Sequence, residues 1–219
     1  MNLTNYQYAV FDCDGVILDS NHLKTEAFVF TLENEPKELV NEFVEYHKHN
    51  GGVSRYVKFD YFYRQLKKIS NAESYIEKAL ERFSQNVIYK MMSCEEIPGI
   101  REILSYLNQL QISCYVVSGG DEKELKKIFA QRDLTKYFNR IYGSPKSKFQ
   151  IMDEVCASTR DGEKGIYFGD AELDLRIANS YELDFVFIRG CSEWKVGYEK
   201  YQNLNLISYE NFKELMKCL

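Results

Sequence analysis

The sequence predicts an α/β fold in which a parallel β-sheet is covered by helices on both faces. Short runs rich in β-branched and aromatic residues recur along the chain, and helical patterns separate the later ones. Strands that alternate with helices are typical of parallel sheets, because each crossover places a helix on one face of the sheet. The predicted strands are residues 8–11, 112–117, 140–142, 165–168 and 185–188.

The composition is that of a folded protein with an acidic balance. The chain has 219 residues, of which 45% are hydrophobic and 15% aromatic, so it can bury a substantial core and is not a disordered chain. Its formal net charge of -5 leaves no overall basic footprint of the kind that favours nucleic-acid binding. We therefore expect no nucleic-acid partner.

The sequence also argues against export and against a membrane location. The opening residues, MNLTNYQYAV, lack the basic start and long apolar segment of a signal peptide, and no run of about 18 apolar residues could cross a membrane. The six cysteines include no C-x-x-C pair, and the three histidines lie far from most of them, which makes a zinc site improbable. We expect a soluble cytoplasmic protein with reduced thiols.

The alternation of strands and helices stops between about residue 19 and residue 93, where apolar residues take helical spacing. The turn and helix-start signal of Pro98 and Gly99 marks the return of the sheet pattern. We predict a core domain made of residues 1–18 and 94–219 and an inserted, all-helical cap domain made of residues 19–93. Because the insertion follows the first acidic motif directly, it is placed to act as a lid.

Polar side chains follow four of the predicted strands, at the point where each strand ends. In parallel sheets, ligands bind beyond the carboxyl ends of the strands, so these side chains should meet at one edge. They are Asp12 after the first strand, Ser118 after the second, Lys146 and Lys148 shortly after the third, and Asp170 after the fourth. Each residue alone carries little weight, and their convergence predicts a site.

Two acidic clusters contribute to this edge. Asp12 and Asp14 are two residues apart in an extended segment, so both carboxylates can face the same space. The later stretch GDAELD adds Asp170 and Asp174. Hard oxygen ligands of this kind suit Mg²⁺ rather than zinc, and so many carboxylates together require a cation.

The remaining strand ends predict a binding place for phosphoryl oxygens. Ser118 is followed by Gly119 and Gly120, which offer a hydroxyl and unobstructed backbone N–H groups. A lysine of the stretch GSPKSK supplies positive charge where a phosphoryl transition state accumulates negative charge.

These four stretches, in this order, resemble the motifs of the haloacid dehalogenase-like phosphatase superfamily. DCDGVILDS resembles its first motif, VVSGG its second, GSPKSK its third and GDAELD its fourth. The helical insertion resembles the cap of the branch that contains β-phosphoglucomutases and phosphoglycolate phosphatases. The resemblance covers nearly the whole chain and implies a Rossmann-like core with a helical cap.

The resemblance implies a role for each motif residue. Asp12 would be the nucleophile that forms an aspartyl-phosphate, and Asp14 would be the acid and base that serves the leaving oxygen and then water. Asp12 would therefore be ionised while Asp14 carries a proton, so their pKa values should be pushed apart. The expected Mg²⁺ ligands are the Asp12 carboxylate, the Asp14 backbone carbonyl and Asp170, with Asp174 as an outer ligand or as the partner of the lysine. Ser118 and Gly119 would hold the phosphoryl group.

The motif lysine could be either Lys146 or Lys148, and we expect both near the phosphate. Lys148 resembles the lysine that some family members place at the start of the following helix, whereas Lys146 resembles a lysine followed by a short turn. We prefer Lys148, because G-S-P-x-x-K is the more familiar frame.

The resemblance implies a Mg²⁺-dependent phosphatase for a small phosphorylated metabolite, such as a sugar phosphate. Asp14 favours phosphate esters, because cleavage of a carbon–halogen bond needs no protonated leaving group. A phosphosugar mutase is the runner-up, since GGVSR, with Arg55, resembles the specificity loop of β-phosphoglucomutases. Those mutases, however, have a histidine where this chain has Lys24. A phosphonate hydrolase that uses a cap lysine and a non-catalytic scaffold are further alternatives.

Overall fold

The computed structural model describes residues 1–160, 162–197, 199 and 206–219, and its strands form one parallel sheet. Within the described residues the sheet has six strands in the order β3-β2-β1-β4-β5-β6. All neighbouring strands run parallel. The strands are β1 (Tyr8–Phe11), β2 (Ser113–Asp121), β3 (Arg140–Ser144), β4 (Gly165–Gly169), β5 (Asp184–Ile188) and β6 (Ile207–Tyr209).

The strands differ from the predicted ones in their ends and in one addition. β2 continues as far as Asp121 and β3 as far as Ser144, so both are longer than their apolar runs. Strand β6 was not predicted; it has three residues and lies at the edge of the sheet beside β5. None of its residues is fully buried, and so short a run carries no readable period.

Helices cover both faces of the sheet, as predicted. After the helical segment described below, the chain forms α5 (Ile100–Gln109), α6 (Glu122–Gln131), α7 (Lys148–Ser158), α8 (Glu172–Ser180) and α9 (Phe212–Met216). Ile103 of α5 and Ile128 of α6 belong to the apolar cluster on one face, whereas Ile151 of α7 and Ile177 of α8 belong to the cluster on the other. The fold is therefore an α/β sandwich of two helical layers around one sheet.

Strand β1 shows how the alternation of side chains builds the two clusters. Ala9 and Phe11 point to one face and Tyr8 and Val10 to the other, because successive residues of a strand face opposite sides. The ring of Phe11 stacks on that of Phe168 with centroids 4.8 Å apart. All four residues are buried, which places β1 at the centre of the sheet.

Residues 19–93 fold into helices only. Their regular elements are α1 (Asn21–Thr31), α2 (Lys37–His49), α3 (Arg55–Asp60), a π-helical turn (Tyr61–Leu66) and α4 (Glu73–Ser93). We call residues 19–93 the helical segment. It has an aromatic core of its own, made of the buried rings of Phe28, Phe43, Phe59, Phe62 and Phe83.

The two connections between the helical segment and the rest of the chain lie side by side. The backbone N–H of Asp19 donates to the carbonyl of Glu95 over 2.9 Å, and that of Ile97 donates to Ile17 over 3.0 Å. Leu18 and Glu96 form an antiparallel bridge between these two hydrogen bonds. The chain therefore leaves and re-enters the sheet region at one place.

Within the described parts of the chain, no helix combines the length and the apolar character needed to cross a membrane. All six cysteines are free thiols.

Candidate active site

The register of the sheet brings the predicted residues to one edge. Phe11, the last residue of β1, lies opposite Val116 of β2 and Phe168 of β4. Asp12 therefore follows β1 one position before the level at which Ser118 and Asp170 occur on its neighbours. Ser118 was predicted to follow the end of its strand and instead lies within it, because β2 continues through the two glycines, with a break in register between Val117 and Asp121.

Lys148 joins two of the predicted carboxylates. Its Nζ lies 2.9 Å from Asp12 Oδ2 and 2.6 Å from Asp174 Oδ1, and all three side chains are buried. Burial alone would lower the pKa of Lys148, but the Asp12 and Asp174 carboxylates outweigh it and raise the pKa well above its ordinary value. Lys148 is therefore a buried, fully ionised cation beside Asp12.

The start of α7 explains why Lys148 lies there. Ser147 caps the helix, since its Oγ accepts the Gln150 N–H over 3.2 Å while Gln150 Oε1 accepts the Ser147 N–H over 2.9 Å. Lys148 is thus the first helical residue. Lys146 lies before the cap with its side chain 49% exposed and forms an ion pair with Glu154. The structure brings Lys148 to Asp12 and leaves Lys146 outside the cluster.

Asp174 has no carboxylate oxygen free of hydrogen bonds. Oδ1 accepts from Lys148 and from the Tyr167 hydroxyl, the latter over 3.0 Å. Oδ2 accepts the backbone N–H groups of Asp170 and Ala171 over 3.2 and 3.1 Å. This arrangement suits the orientation of Lys148 and of the loop better than direct contact with a metal. Tyr167 was not among the predicted site residues, although a tyrosine in a buried strand needs a partner for its hydroxyl.

Three buried carboxylates form a group that fits a divalent cation. Asp12, Asp170 and Asp174 each offer an oxygen within 4.8 Å of the others. Burial raises the pKa of Asp170 well above its ordinary value, and the Asp12 and Asp174 carboxylates add to the rise. Burial likewise raises the pKa of Asp12 to about 7, even though Lys148 opposes the rise. Hard oxygen donors that repel one another are suitable ligands for Mg²⁺.

Gly15 and Asn21 position Asp170, and neither appeared among the predicted site residues. Asn21 Nδ2 donates to Asp170 Oδ2 over 2.6 Å, so α1 contributes to the acidic group. Gly15 has a φ of +71°, and a Cβ there would lie 2.2 Å from Asp170 Oδ2. The glycine of the first motif is therefore required both by its left-handed conformation and by the close approach of Asp170.

Asp14 is held by two groups of the helical segment. Ser20 Oγ donates to Asp14 Oδ1 over 2.5 Å, and Lys24 Nζ donates to Oδ2. Burial alone would raise the pKa of Asp14, but Lys24 and the hydrogen bond from Ser20 outweigh it and lower the pKa. The protein's own groups therefore raise the pKa of Asp12 and lower that of Asp14, which is the reverse of the expected order. Burial causes the shift of Asp12, and Lys24, which was noted above only as a departure from the mutases, is the main cause of the shift of Asp14.

The site lies at the bottom of a cleft between the sheet edge and the helical segment. The cleft encloses about 690 Å³, part of it open to solvent. A Cβ at Gly119 would lie 2.2 Å from the carbonyl oxygen of Gly52, so the two backbones are in direct contact across the cleft. The core contributes Asp12, Asp14, Gly119 and Asp170 to the lining, and the helical segment contributes Lys24, Phe28, His47, Arg55, Lys58 and Phe83.

Arg55 lines the cleft, but its donors are engaged by the protein. Nη1 and Nη2 donate to the two carboxylate oxygens of Glu124 over 2.9 and 2.7 Å, and Nη1 also donates to Ser84 over 2.9 Å. The guanidinium lies 4.6 Å from the centroid of the Phe83 ring. The specificity role expected for Arg55 remains a prediction. Its pairing with Glu124 of α6 could not be inferred from sequence, because the two residues are 69 positions apart.

Comparisons with known proteins agree with this geometry. A family model described as haloacid dehalogenase-like hydrolase matches residues 9–188. A phosphorylated carbohydrates phosphatase from Thermotoga maritima is 21% identical over 184 residues, which cover 81% of this chain and 82% of that protein.

Two solved structures show a similar fold. A β-phosphoglucomutase from Clostridium difficile superposes with a TM-score of 0.73 at 18% identity, over 96% of this chain and 93% of that one. A hydrolase from Pseudomonas syringae superposes with a TM-score of 0.74 at 16% identity, over 96% of each chain. At these identities the two structures show a shared fold and nothing more specific.

Proposed function

The chain belongs to the haloacid dehalogenase-like hydrolase family, and from this premise we propose that it is a Mg²⁺-dependent phosphatase of small phosphorylated metabolites. Sugar phosphates are the favoured substrate class, because the curated relative in Thermotoga maritima is named for phosphorylated carbohydrates. The observation that carries the proposal is the buried contact of Lys148 with Asp12, beside Asp14 and beneath the cleft. The free cysteines are compatible with the cytoplasmic location that we propose.

Asp12 is the proposed nucleophile. Its Oδ1 accepts the backbone N–H of Cys13 over 2.7 Å, and its Oδ2 accepts from Lys148, so the carboxylate has a fixed orientation. Attack by a carboxylate oxygen on phosphorus forms an aspartyl-phosphate and breaks the ester P–O bond. Lys148 lies where it can offset the negative charge that develops on the phosphoryl group.

Asp14 is the proposed acid and base. In the first step it donates a proton to the departing ester oxygen, and in the second it takes a proton from the water that attacks the aspartyl-phosphate. The ion pair with Lys24 favours the ionised form, which is the form needed for the second step. In the first step Asp14 must hold a proton. A phosphate that enters the cleft and interacts with Lys24 would weaken the Asp14–Lys24 ion pair and so favour protonation of Asp14.

Ser118 and Gly119 are proposed to hold the phosphoryl oxygens. Ser118 is fully buried, and its Oγ accepts the backbone N–H of Gly120 over 3.0 Å. That bond orients the hydroxyl and leaves its proton available for an oxygen of the substrate. Gly119 lies beside it without a side chain, so its backbone can approach the phosphoryl group.

The proposed Mg²⁺ ligands are the carboxylates of Asp12 and Asp170 and the backbone carbonyl of Asp14. When bound, the ion supplies charge neutralisation between the nucleophilic carboxylate and the phosphate. Asp174 supports the site from outside by holding Lys148 and the Asp170 backbone. The helical segment serves as the cap, and residues 1–18 and 94–219 form the core that carries the chemistry.

A phosphosugar mutase is the second candidate, and Arg55 is the residue that favours it. The loop that contains Arg55 resembles the mutase specificity loop, and the guanidinium lines the cleft. The hydrolase is placed first because Glu124 already accepts from both terminal nitrogens of Arg55. A mutase would have to separate this pair before Arg55 could bind a second phosphate.

The test measures phosphate release from p-nitrophenyl phosphate and from a panel of sugar phosphates, with and without MgCl₂. We expect Mg²⁺-dependent release that Asp12→Asn abolishes. No metal-dependent release from any phosphoester would overturn the proposal and favour a non-catalytic role. Conversion of a sugar 1-phosphate to its 6-phosphate without net release would favour the mutase.

A further inference from the structure

The helical segment contributes charge of only one sign to the cleft. Its charged lining residues are Lys24, Lys48, Arg55 and Lys58, and all four are cations. Two of them are neutralised inside the protein, because Lys24 pairs with Asp14 and Arg55 with Glu124. The other two differ in exposure: Lys48 is partly exposed, whereas Lys58 is only 2% exposed.

Lys58 is a buried cation without a carboxylate partner among the described residues. Its Nζ lies 2.7 Å from His47 Nδ1 and 3.4 Å from the His47 carbonyl oxygen. A second weak contact is the ring of Phe28, whose centroid lies 5.8 Å away. A buried ammonium without an anion is costly to fold. In agreement, burial and the nearby charge of Lys24 lower the pKa of Lys58 to about 7.

A chain of hydrogen bonds fixes the position of this ammonium. Because Lys58 donates to His47 Nδ1, the imidazole proton is on Nε2, which donates to Thr25 Oγ1 over 2.9 Å. The Thr25 hydroxyl then donates to Glu193, whose two carboxylate oxygens both lie 3.2 Å away. An ammonium has three protons, of which the ring and the carbonyl oxygen of His47 accept two. At least one N–H group is left for the cleft that Lys58 lines.

From this arrangement we propose that Lys58 binds an anionic group on the leaving-group part of the substrate, either a carboxylate or a second phosphate. The inference rests on the proposed phosphatase activity and specifies its substrate. His47 is a positioning residue, since it acts through Lys58. A neutral sugar would leave the buried ammonium unpaired, whereas an anion would neutralise it and complete its hydrogen bonds.

The test compares substrates that differ only in the second anionic group. One pair is gluconate 6-phosphate and glucitol 6-phosphate, which differ by a carboxylate; the other is fructose 1,6-bisphosphate and fructose 6-phosphate. We expect the anionic member of at least one pair to be preferred by about tenfold or more in kcat/KM, the size of a hydrogen bond to a charged group. Which pair shows the preference distinguishes a carboxylate from a phosphate.

Three lysine variants then assign the preference. Lys58→Met should reduce the ratio of the two kcat/KM values to near one, mainly through KM of the anionic member. Lys78→Met, on the exposed face of α4, is the matched control and should leave the ratio unchanged. A wild-type ratio near one, or a ratio that collapses in Lys48→Met and persists in Lys58→Met, would overturn the proposal.

Variants of His47 test the positioning role. His47→Phe keeps a ring but loses the nitrogen that accepts from Lys58. It should lower the kcat/KM preference for the anionic substrate through a rise in the KM of that substrate. His47→Asn, whose side-chain oxygen can replace the Nδ1 acceptor, should retain more of the ratio than His47→Phe. Equal kcat/KM preferences in both variants and the wild type would contradict the positioning role of His47. Failure of phosphatase activity as a whole would appear as no release from p-nitrophenyl phosphate, so the two failures are distinguishable.

Discussion

Arg55 of the helical segment and Glu124 of α6 form a bidentate ion pair that spans the cleft. The side chains are 5% and 14% exposed, so the pair is largely removed from water. Next to it, the Tyr56 hydroxyl donates over 2.9 Å to Asp121, the residue that caps α6. These contacts tie the helical segment to the strand end that carries Ser118 and Gly119.

We expect the Arg55–Glu124 pair to contribute strongly to stability and to be non-additive when it is removed. Arg55→Met or Glu124→Gln alone should lower the free energy of unfolding by roughly 3 kcal/mol, because each leaves the other group buried without its partner. The double variant should lose clearly less than the sum. Urea denaturation of the four proteins measures the difference. Arg64→Met, which removes the two solvent-exposed ion pairs with Asp60 and Glu73, should change stability little. Additive losses in the Arg55 and Glu124 variants would contradict the prediction.

Asp14→Asn should slow the turnover of poor leaving groups far more than that of good ones. An alkyl phosphate needs a protonated leaving oxygen, whereas p-nitrophenolate departs readily without one. We expect a loss of about 100-fold or more in kcat for the alkyl phosphate and a much smaller loss for p-nitrophenyl phosphate. Steady-state kinetics with both substrates measures the ratio. Equal slowing would argue against an acid role for Asp14.

Lys148→Ala should reduce kcat by roughly 100-fold or more, because it removes the buried cation beside Asp12. Lys146→Ala is the matched control. Its side chain is half-exposed and paired with Glu154, so its removal should have little effect on turnover. Thermal melting of both variants shows whether they are folded at the assay temperature. A larger rate loss from Lys146→Ala would reverse the assignment of the motif lysine.

Addition of MgCl₂ should raise the melting temperature of the protein, because it offsets the repulsion among the buried carboxylates of Asp12, Asp170 and Asp174. Asp170→Asn should abolish this rise. In EDTA the same variant should melt above the wild type, since it removes one of the charges that burial disfavours. Differential scanning fluorimetry gives all of these values without an activity assay. A rise with Mg²⁺ that persists in Asp170→Asn would place the cation elsewhere.

The stability difference between Lys58→Met and the wild type should depend on pH. Burial lowers the pKa of Lys58 to about 7, below the ordinary value of 10.5, so the fold carries the full cost of the ionised ammonium below pH 7. This cost falls as the pH rises towards 10.5. The methionine variant should therefore gain most over the wild type near pH 6.5 and least near pH 10. Urea denaturation of both proteins at the two pH values measures this stability difference. A difference that is the same at both pH values would refute the prediction.

Much of the fold could be predicted from the sequence, because its signals are local. The strand YAVF and the later apolar runs show their period and their β-branched and aromatic residues within a few positions. The extension of β2 through Ser118, Gly119 and Gly120 could not be predicted, since glycines weaken a strand pattern and the pairing partner lies on β3. Edge strand β6 is too short to show a period at all.

The site could be predicted as a set of motif residues but not as a network. Asp12, Asp170 and Asp174 meet as the strand-end rule predicts, and Lys148 joins them. Asn21, by contrast, contacts Asp170 across 149 positions of sequence, and no pattern links the two. The protein's own groups shift the pKa values of Asp12 and Asp14 in the reverse of the expected order, again through a contact that no sequence pattern shows.

The charge of Lys24 decides that order, and only the packing of α1 shows where this charge lies. Lys24 is ten positions from Asp14 in sequence, on a helix whose orientation the sequence does not specify. A lysine at this position has no recognisable pattern of its own. Its contact with Asp14 depends on the way the helical segment sits on the sheet, which is a property of the folded chain.

The pairing of residues 17–19 with residues 95–97 has a consequence for how this protein can vary. Because both ends of the helical segment are joined to each other by backbone hydrogen bonds, the distance between the two junctions does not depend on the length of the helices between them. Helices beyond the contacts of Ser20, Asn21 and Lys24 can be lengthened, shortened or exchanged while the strand ends keep their spacing. The substrate choice that we propose for the helical segment can therefore evolve in one stretch of the gene, separately from the reaction that we propose for the rest.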